Sequence, residues 1–141
     1  MDSVTLCLSK GLGCPFGAVI AGTAEFVKKA ALERHKIIGP LHGVGFIGEA
    51  ALYALEHYET NLKRDHTLMA NIAGNIEKSG GGGKVRITSA TIQTNMVYLE
   101  FTDQAPITAG KFEEILEEKY NLLIDQYKGK IRLVAHQDVS E

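Results

Sequence analysis

The sequence has little of anything that would assign it to a specialised class of protein. Its 15 basic and 17 acidic residues give a net charge of −2, and no basic stripe indicates a nucleic-acid partner. No apolar run approaches the length that crosses a membrane. Residues 1–5, MDSVT, lack the charged and apolar segments of a secretory signal. We therefore predict a cytoplasmic protein with neither a nucleic-acid nor a membrane partner.

Cysteine is also scarce, with Cys7 and Cys14 as its two positions. No second cysteine pair is present to complete a zinc site, so both are predicted to be reduced packing residues, with a disulfide as the minor alternative. His57 and His66 have no carboxylate or cysteine at ligand spacing and are predicted to be surface histidines.

What is present indicates an ordinary folded chain. The 141 residues are 45% apolar and 23% charged, which is enough to bury a core. Glycine, with 15 residues, is clustered. Residues 79–83, SGGGG, predict a flexible connector because they are rich in glycine. They do not form a phosphate loop, since Lys84 is followed by Val85 and not by serine or threonine.

The apolar pattern predicts two regions, residues 1–58 and residues 59–141. The first holds two buried strands joined by a turn, then a helix that Thr23 caps and Gly39 and Pro40 end. Two further helices are predicted over residues 49–59 and 62–78. From Lys84 the pattern predicts a β-β-α-β-β unit with an antiparallel sheet, with strands over residues 84–88, 95–101, 122–125 and 131–135 and a helix over residues 108–120.

Residues 8–15, LSKGLGCP, form the most distinctive turn. Lys10 follows an apolar strand and is followed by Gly11, Gly13 and Pro15, which favour a sharp turn. A lysine amine held at the exit of a buried strand can act as a nucleophile toward carbonyl groups. An ordinary surface lysine in a glycine turn is the alternative on local pattern alone.

Residues 2–15, DSVTLCLSKGLGCP, resemble the cofactor-lysine segment of the threonine aldolases. Residues 131–140, IRLVAHQDVS, resemble the C-terminal arginine motif of that family, and residues 50–57 and 94–97 match in order between them. The resemblance implies the α/β fold of pyridoxal-phosphate enzymes of the aspartate aminotransferase type. It implies that the chain is the C-terminal portion of that fold, the end of the large cofactor domain (1–58) followed by a small α+β domain (59–141).

The resemblance also implies roles for individual residues. Lys10 would bind pyridoxal 5'-phosphate covalently, Ser9 and Thr5 would lie near the cofactor, and Arg132 would bind the carboxylate of an amino-acid substrate. The implied reaction is retro-aldol cleavage of L-threonine or L-allo-threonine to glycine and an aldehyde. Taken alone, Arg132 could instead be a strand arginine that pairs with Glu100 or Asp125.

Two departures from the family pattern bear on these roles. His42 stands where the family carries an arginine that helps neutralise the cofactor phosphate, and imidazole is only partly charged near neutral pH. The family's N-terminal half, with its phosphate loop, stacking histidine and ring-pairing aspartate, has no counterpart here. We expect a homo-oligomer (dimer or tetramer) or a missing N-terminal half, with the chain either a fragment of a longer gene or completed by a half that comes from elsewhere. A non-catalytic folding module and another pyridoxal-phosphate β-eliminating lyase are the alternative functions.

Overall fold

The computed structural model describes residues 2–79, 83–88 and 92–139. The chain divides into two compact units, Met1–Thr60 and Asn61–Glu141. We call them unit 1 and unit 2. The assignment of residues 1–58 to a cofactor domain and 59–141 to a small domain stays a prediction.

Unit 1 begins with a two-stranded antiparallel sheet. Strand β1 (Ser3–Cys7) pairs with β2 (Ala18–Gly22). Helix α1 (Ala24–Ile38) follows, and its predicted cap is confirmed because the Thr23 hydroxyl accepts a hydrogen bond from the Phe26 N–H at 3.2 Å. The helix ends where Gly39 adopts a positive φ of 70°.

The two strands of unit 1 are not buried, so that part of the prediction is wrong. Every residue of β1 and β2 is exposed, including Val4 and Val19, each 49% exposed. A two-stranded ribbon leaves both faces and both outer edges open unless other elements cover them. The buried cluster of this unit instead joins Leu8 and Cys14 to Ala51 and Ala54.

Helix α2 (Gly45–Lys78) is one continuous helix of 34 residues, where the sequence predicts two. Residues 60–61, which the prediction places between the two helices, include neither glycine nor proline, so the backbone hydrogen bonds of the helix continue through them. A Cβ placed on Gly45 or Gly48 would meet nothing within 4 Å.

Unit 2 contains the predicted β-β-α-β-β order. Its elements are β3 (Val85–Ile87), β4 (Met96–Phe101), α3 (Ala109–Tyr120), β5 (Asp125–Tyr127) and β6 (Lys130–Val134). The strands pair antiparallel in the order β3-β4-β6-β5. Strand β5 lies further along the chain than residues 122–125 because Lys128 and Gly129, at φ of 51° and 76°, form a two-residue hairpin turn that sets its register.

The core of unit 2 lies between its sheet and helices. Met69 and Ala73 of α2 meet Val97, Leu99 and Ile131, and both Val97 and Ile131 are 0% exposed. The alternating exposure along β4 is the pattern expected of a half-buried strand. Of the predicted glycine connector, residues 80–82 lie outside the described residues. In the described ranges, no helix combines the length and apolar character needed to span a bilayer.

Candidate functional site

Lys10 lies on a tight turn that main-chain hydrogen bonds hold in place. The Leu8 N–H donates to the Gly17 carbonyl at 3.0 Å, the Cys14 N–H donates to the Leu8 carbonyl at 3.0 Å, and the Gly13 N–H donates to the Lys10 carbonyl at 2.8 Å. Leu8 and Cys14 are only 4% and 5% exposed. The base of the turn is therefore anchored in the buried cluster, while Lys10 itself is exposed.

Two glycines make this turn possible. Gly13 has a φ of 73° and Gly17 a φ of 117°, a backbone region that residues with a Cβ rarely adopt. A Cβ on Gly17 would also lie 3.3 Å from both Leu8 and Ile47 side-chain carbons. The glycines at these two positions follow from both backbone conformation and packing, as the sequence pattern predicts for the first of them.

A small polar cluster surrounds the start of the turn. The Cys7 Sγ lies 3.3 Å from the Ser9 Oγ. Hydrogen bonds from the Ser9 hydroxyl and the Ser9 backbone lower the pKa of the Cys7 thiol, and the charge of Lys10 acts in the same direction. Cys7 is exposed and free, so its prediction as a packing residue is wrong, whereas Cys14 is buried as predicted.

Thr5 and His42 are the other residues predicted for the cofactor in this unit. Thr5 lies on β1, opposite Ile20, and is exposed. His42 lies in the exposed segment between α1 and α2. Within residues 2–79, no hydrogen bond or ion pair joins His42 to Thr5, Ser9 or Lys10. A role for either side chain in binding the cofactor phosphate stays a prediction.

Arg132 lies on β6 in unit 2 and has a carboxylate partner. Its Nη2 donates to the Asp125 Oδ2 at 2.6 Å, across the β5–β6 hairpin. Its guanidinium carbon is 5.7 Å from the centre of the Tyr127 ring. The Arg132 Nε is buried without a hydrogen-bond partner among the described residues. Of the two pairings left open by the sequence, that with Asp125 is present, and Glu100 pairs with Arg86 instead.

A mostly apolar pocket of about 530 Å³ lies beside Arg132, entirely within unit 2. Leu68 and Ile72 of α2, Leu122 and Leu123 before β5, and Val134 of β6 contribute apolar walls. Arg132 and Asp125 also line it. We call it the Arg132 pocket. It combines an apolar lining with the ion pair of Arg132 and Asp125.

The structure also shows a buried carboxylate that the sequence prediction missed. Asp65 is 1% exposed, and its Oδ1 accepts hydrogen bonds from Arg64 Nε at 3.2 Å and Nη2 at 2.8 Å. The same Nη2 donates to the His136 carbonyl at 3.2 Å, which ties α2 to the segment after β6. The available signal was the i, i+4, i+8 spacing of Asp65 with Met69 and Ala73, which places it on the buried helix face.

His57 and His66, predicted to be surface histidines, both lie on α2. The His57 Nδ1 lies 2.8 Å from the Tyr53 carbonyl one turn earlier, and its side chain is exposed. His66 is half-buried on α2. In residues 2–79, 83–88 and 92–139, no group of three or more His, Cys, Asp or Glu side chains is placed to hold a metal ion.

Known proteins similar to this chain include the low-specificity L-threonine aldolase 1 of Arabidopsis thaliana, which is 36% identical over 139 residues. The low specificity L-threonine aldolase of Escherichia coli strain K12 is 30% identical over 139 residues. Each alignment covers 99% of this chain and 38% of the relative. The chain thus spans 38% of the length of these relatives, and the resemblance to threonine aldolases is confirmed.

A solved structure from Exiguobacterium sp. 255-15, provisionally named an aromatic amino acid beta-eliminating lyase/threonine aldolase, has the same fold. Its TM-score is 0.72 at 23% identity, with 96% of this chain and 39% of that chain covered. The predicted α/β fold class is confirmed by this match. The family model described as beta-eliminating lyase matches residues 1–102. The chain therefore belongs to the beta-eliminating lyase family.

Proposed function

We propose that this chain contributes the cofactor lysine, Lys10, and the substrate-binding arginine, Arg132, to a pyridoxal-phosphate lyase that cleaves β-hydroxy amino acids. The substrates would be L-threonine and L-allo-threonine, and the products glycine and an aldehyde. The observation that carries the proposal is the exposed Lys10 on a turn anchored by Leu8 and Cys14. Similarity to threonine aldolases over 99% of the chain supports it.

The residues of the Lys10 turn fit the cofactor that the family implies. Lys10 is an accessible primary amine on a hydrogen-bonded turn, and it would hold pyridoxal phosphate covalently through the aldehyde of the cofactor. The Ser9 and Thr5 hydroxyls add hydrogen-bond donors that suit a phosphate. Lys10, Ser9 and Thr5 are the residues that we assign to holding the cofactor, with His42 as a further cation when protonated.

Bound pyridoxal phosphate supplies an electron sink for the pair released from the substrate Cα–Cβ bond. The part we assign to Arg132 is binding. Its planar guanidinium matches a carboxylate in two parallel hydrogen bonds, which fixes the orientation of the amino acid. A charge-assisted hydrogen bond of this kind contributes about 1.5–3 kcal/mol. Among the other groups of threonine, the methyl group is the one that the apolar walls of the Arg132 pocket suit.

The activity is proposed for the assembled enzyme, because this chain spans 38% of the length of its threonine aldolase relatives. The groups that pair with the pyridine ring and complete the phosphate site are assigned to the part of the enzyme that these 141 residues do not cover. We also propose a homo-oligomer, which the similarity to threonine aldolases suggests.

A direct test is reductive trapping on the full chain. We expect pyridoxal phosphate followed by borohydride to leave a stable adduct on Lys10, located by peptide mass spectrometry, and Lys10→Arg to abolish it. Lys28 is a matched control, since it is an exposed lysine on α1. Labelling of Lys10 at no more than the level of Lys28 would contradict the proposal and favour the non-catalytic folding module.

A second candidate is β-elimination, which the description of the matching family model favours. The two reactions release different products from a β-substituted amino acid. Retro-aldol cleavage gives glycine and an aldehyde, whereas β-elimination gives ammonia and a keto acid. Product analysis on the assembled enzyme with threonine and with serine therefore separates them, and ammonia without glycine would overturn the aldolase assignment.

A further inference from the structure

We infer that Asp125 is an internal competitor for the carboxylate site on Arg132, and that it limits how tightly the Arg132 pocket holds a carboxylic acid. This inference rests on the proposed role of Arg132 as the carboxylate anchor. It adds a specificity-determining residue that is not itself expected to touch the cofactor.

The first step is the geometry of the ion pair. A guanidinium can form two parallel bonds to a carboxylate through Nη1 and Nη2, or through Nε and Nη2. Both arrangements use Nη2, and Asp125 Oδ2 already accepts from Nη2 at 2.6 Å. The Nε edge is closed because that atom is buried. A carboxylate ligand must therefore share Nη2 with Asp125 or displace Asp125 from it.

The second step is that Asp125 can be displaced. Its side chain is 58% exposed, so water can hydrate the carboxylate once it leaves Arg132. Arg132 is 36% exposed, and its guanidinium remains beside the Tyr127 ring, which supports it independently of Asp125. An exposed ion pair of this kind is a weak interaction that a ligand can exchange.

The third step is the selection of ligand class. The walls of the Arg132 pocket are mainly apolar, and Asp125 adds a negative charge at its polar end. A small inorganic anion gains nothing from the apolar walls, while a carboxylic acid with an apolar substituent buries it there. Asp125 thus raises the requirement for apolar contact and discriminates against ligands that offer charge alone.

The test is a calorimetric or NMR titration of the full chain with 3-phenylpropionate, without pyridoxal phosphate. Asp125→Asn keeps the shape of the side chain and removes its charge. We expect it to increase the association constant about two- to fivefold, the range that corresponds to a surface ion pair. Arg132→Gln should abolish binding, and 3-phenylpropionamide should not bind the wild-type chain.

Glu114→Gln is the matched control, since it also removes one carboxylate from an exposed ion pair, that with Lys111 on α3. It should leave the association constant unchanged. Weaker binding by Asp125→Asn would overturn the inference, because it would mean that Asp125 only orients Arg132. Equal increases of the association constant in Asp125→Asn and Glu114→Gln would also overturn the inference. So would a lack of 3-phenylpropionate binding by both the wild-type chain and Asp125→Asn. Lys10 trapping is independent of all these outcomes, so failure of the proposed function is seen separately.

Discussion

Units 1 and 2 differ in how far the apolar residues of their strands are buried. In unit 2, alternate residues of β4 are buried against α2, and Val97 and Ile131 are fully enclosed. In unit 1, both strands are exposed throughout and α1 buries none of its residues. The amino-acid composition of a strand alone therefore does not predict whether its residues are buried. What decides it is whether a second layer lies over the strand.

The comparison also separates stability from chemistry. The unit 2 core has helices and a four-stranded sheet that pack around one buried cluster, and removal of these apolar side chains from water favours folding. The Lys10 turn belongs to the less buried unit, where Leu8, Cys14, Ala51 and Ala54 are its anchors. Substitutions in the unit 2 core should accordingly change mainly the free energy of unfolding, and substitutions in the Lys10 turn should change mainly the reactivity of its side chains.

The largest expected difference comes from one substitution made in both units. Ile131→Ala removes a fully buried side chain and should lower the free energy of unfolding by about 2–5 kcal/mol. Ile20→Ala, at a residue 46% exposed, should cost less than about 1 kcal/mol. Urea denaturation followed by circular dichroism measures both. Equal losses would show that β2 is as well packed as β6.

An intermediate effect is expected in acid, and it belongs to unit 2. The hydrogen bond from Arg86 lowers the pKa of Glu100 below its ordinary value of 4.5. The ionised form is therefore favoured by folding, so this stabilisation is present above pH 4.5 and is lost as the pH falls through the lower pKa of the folded state.

Melting temperatures between pH 6 and pH 3 test this expectation. Glu100→Gln should flatten the acid side of the profile, and Arg86→Gln should flatten it similarly because it removes the cause of the shift. A Glu100→Gln profile that runs parallel to the wild-type profile would disprove the linkage.

The smallest effect is expected in unit 1, at Cys7. Ser9 and Lys10 lower the pKa of its thiol, and the side chain is exposed, so iodoacetamide should alkylate Cys7 before the buried Cys14. Ser9→Ala should raise the pKa of Cys7 and slow its alkylation near neutral pH. Mass spectrometry of timed digests follows both thiols. An unchanged rate in Ser9→Ala would exclude the hydrogen bond as the cause.

Much of unit 2 could be predicted because its signals are local. Alternation in β4 and the amphipathic pattern of α3 each fix an element and its buried face within one segment. The bounds of β5 differ from the prediction because the turn at Lys128 and Gly129 pairs Tyr127 with Lys130, whereas the apolar run that predicts the strand ends at residue 124.

The structure of unit 1 is harder to predict from the sequence, because burial and helix length there depend on tertiary contacts. The apolar run of β1 predicts burial, yet exposure depends on neighbours that the run does not encode. The break within α2 was inferred from two separate periodic stretches, although a helix continues unless a residue stops it. The glycines of the sequence predict the Lys10 turn, whereas no local pattern indicates the contact between Ser9 and Cys7. The pairing of Arg132 stayed open between two acids until the hairpin register selected Asp125.

The Lys10 turn has one more consequence, for how this protein can vary over evolutionary time. Its three closing hydrogen bonds join main-chain groups, so substitutions at Ser9 or Leu12 do not remove them. Only Gly13 and Gly17 are restricted by their backbone angles. The backbone position of Lys10 is thus kept when a side chain such as that of Ser9 changes, whereas the cofactor contact that we assign to Ser9 is lost with its hydroxyl.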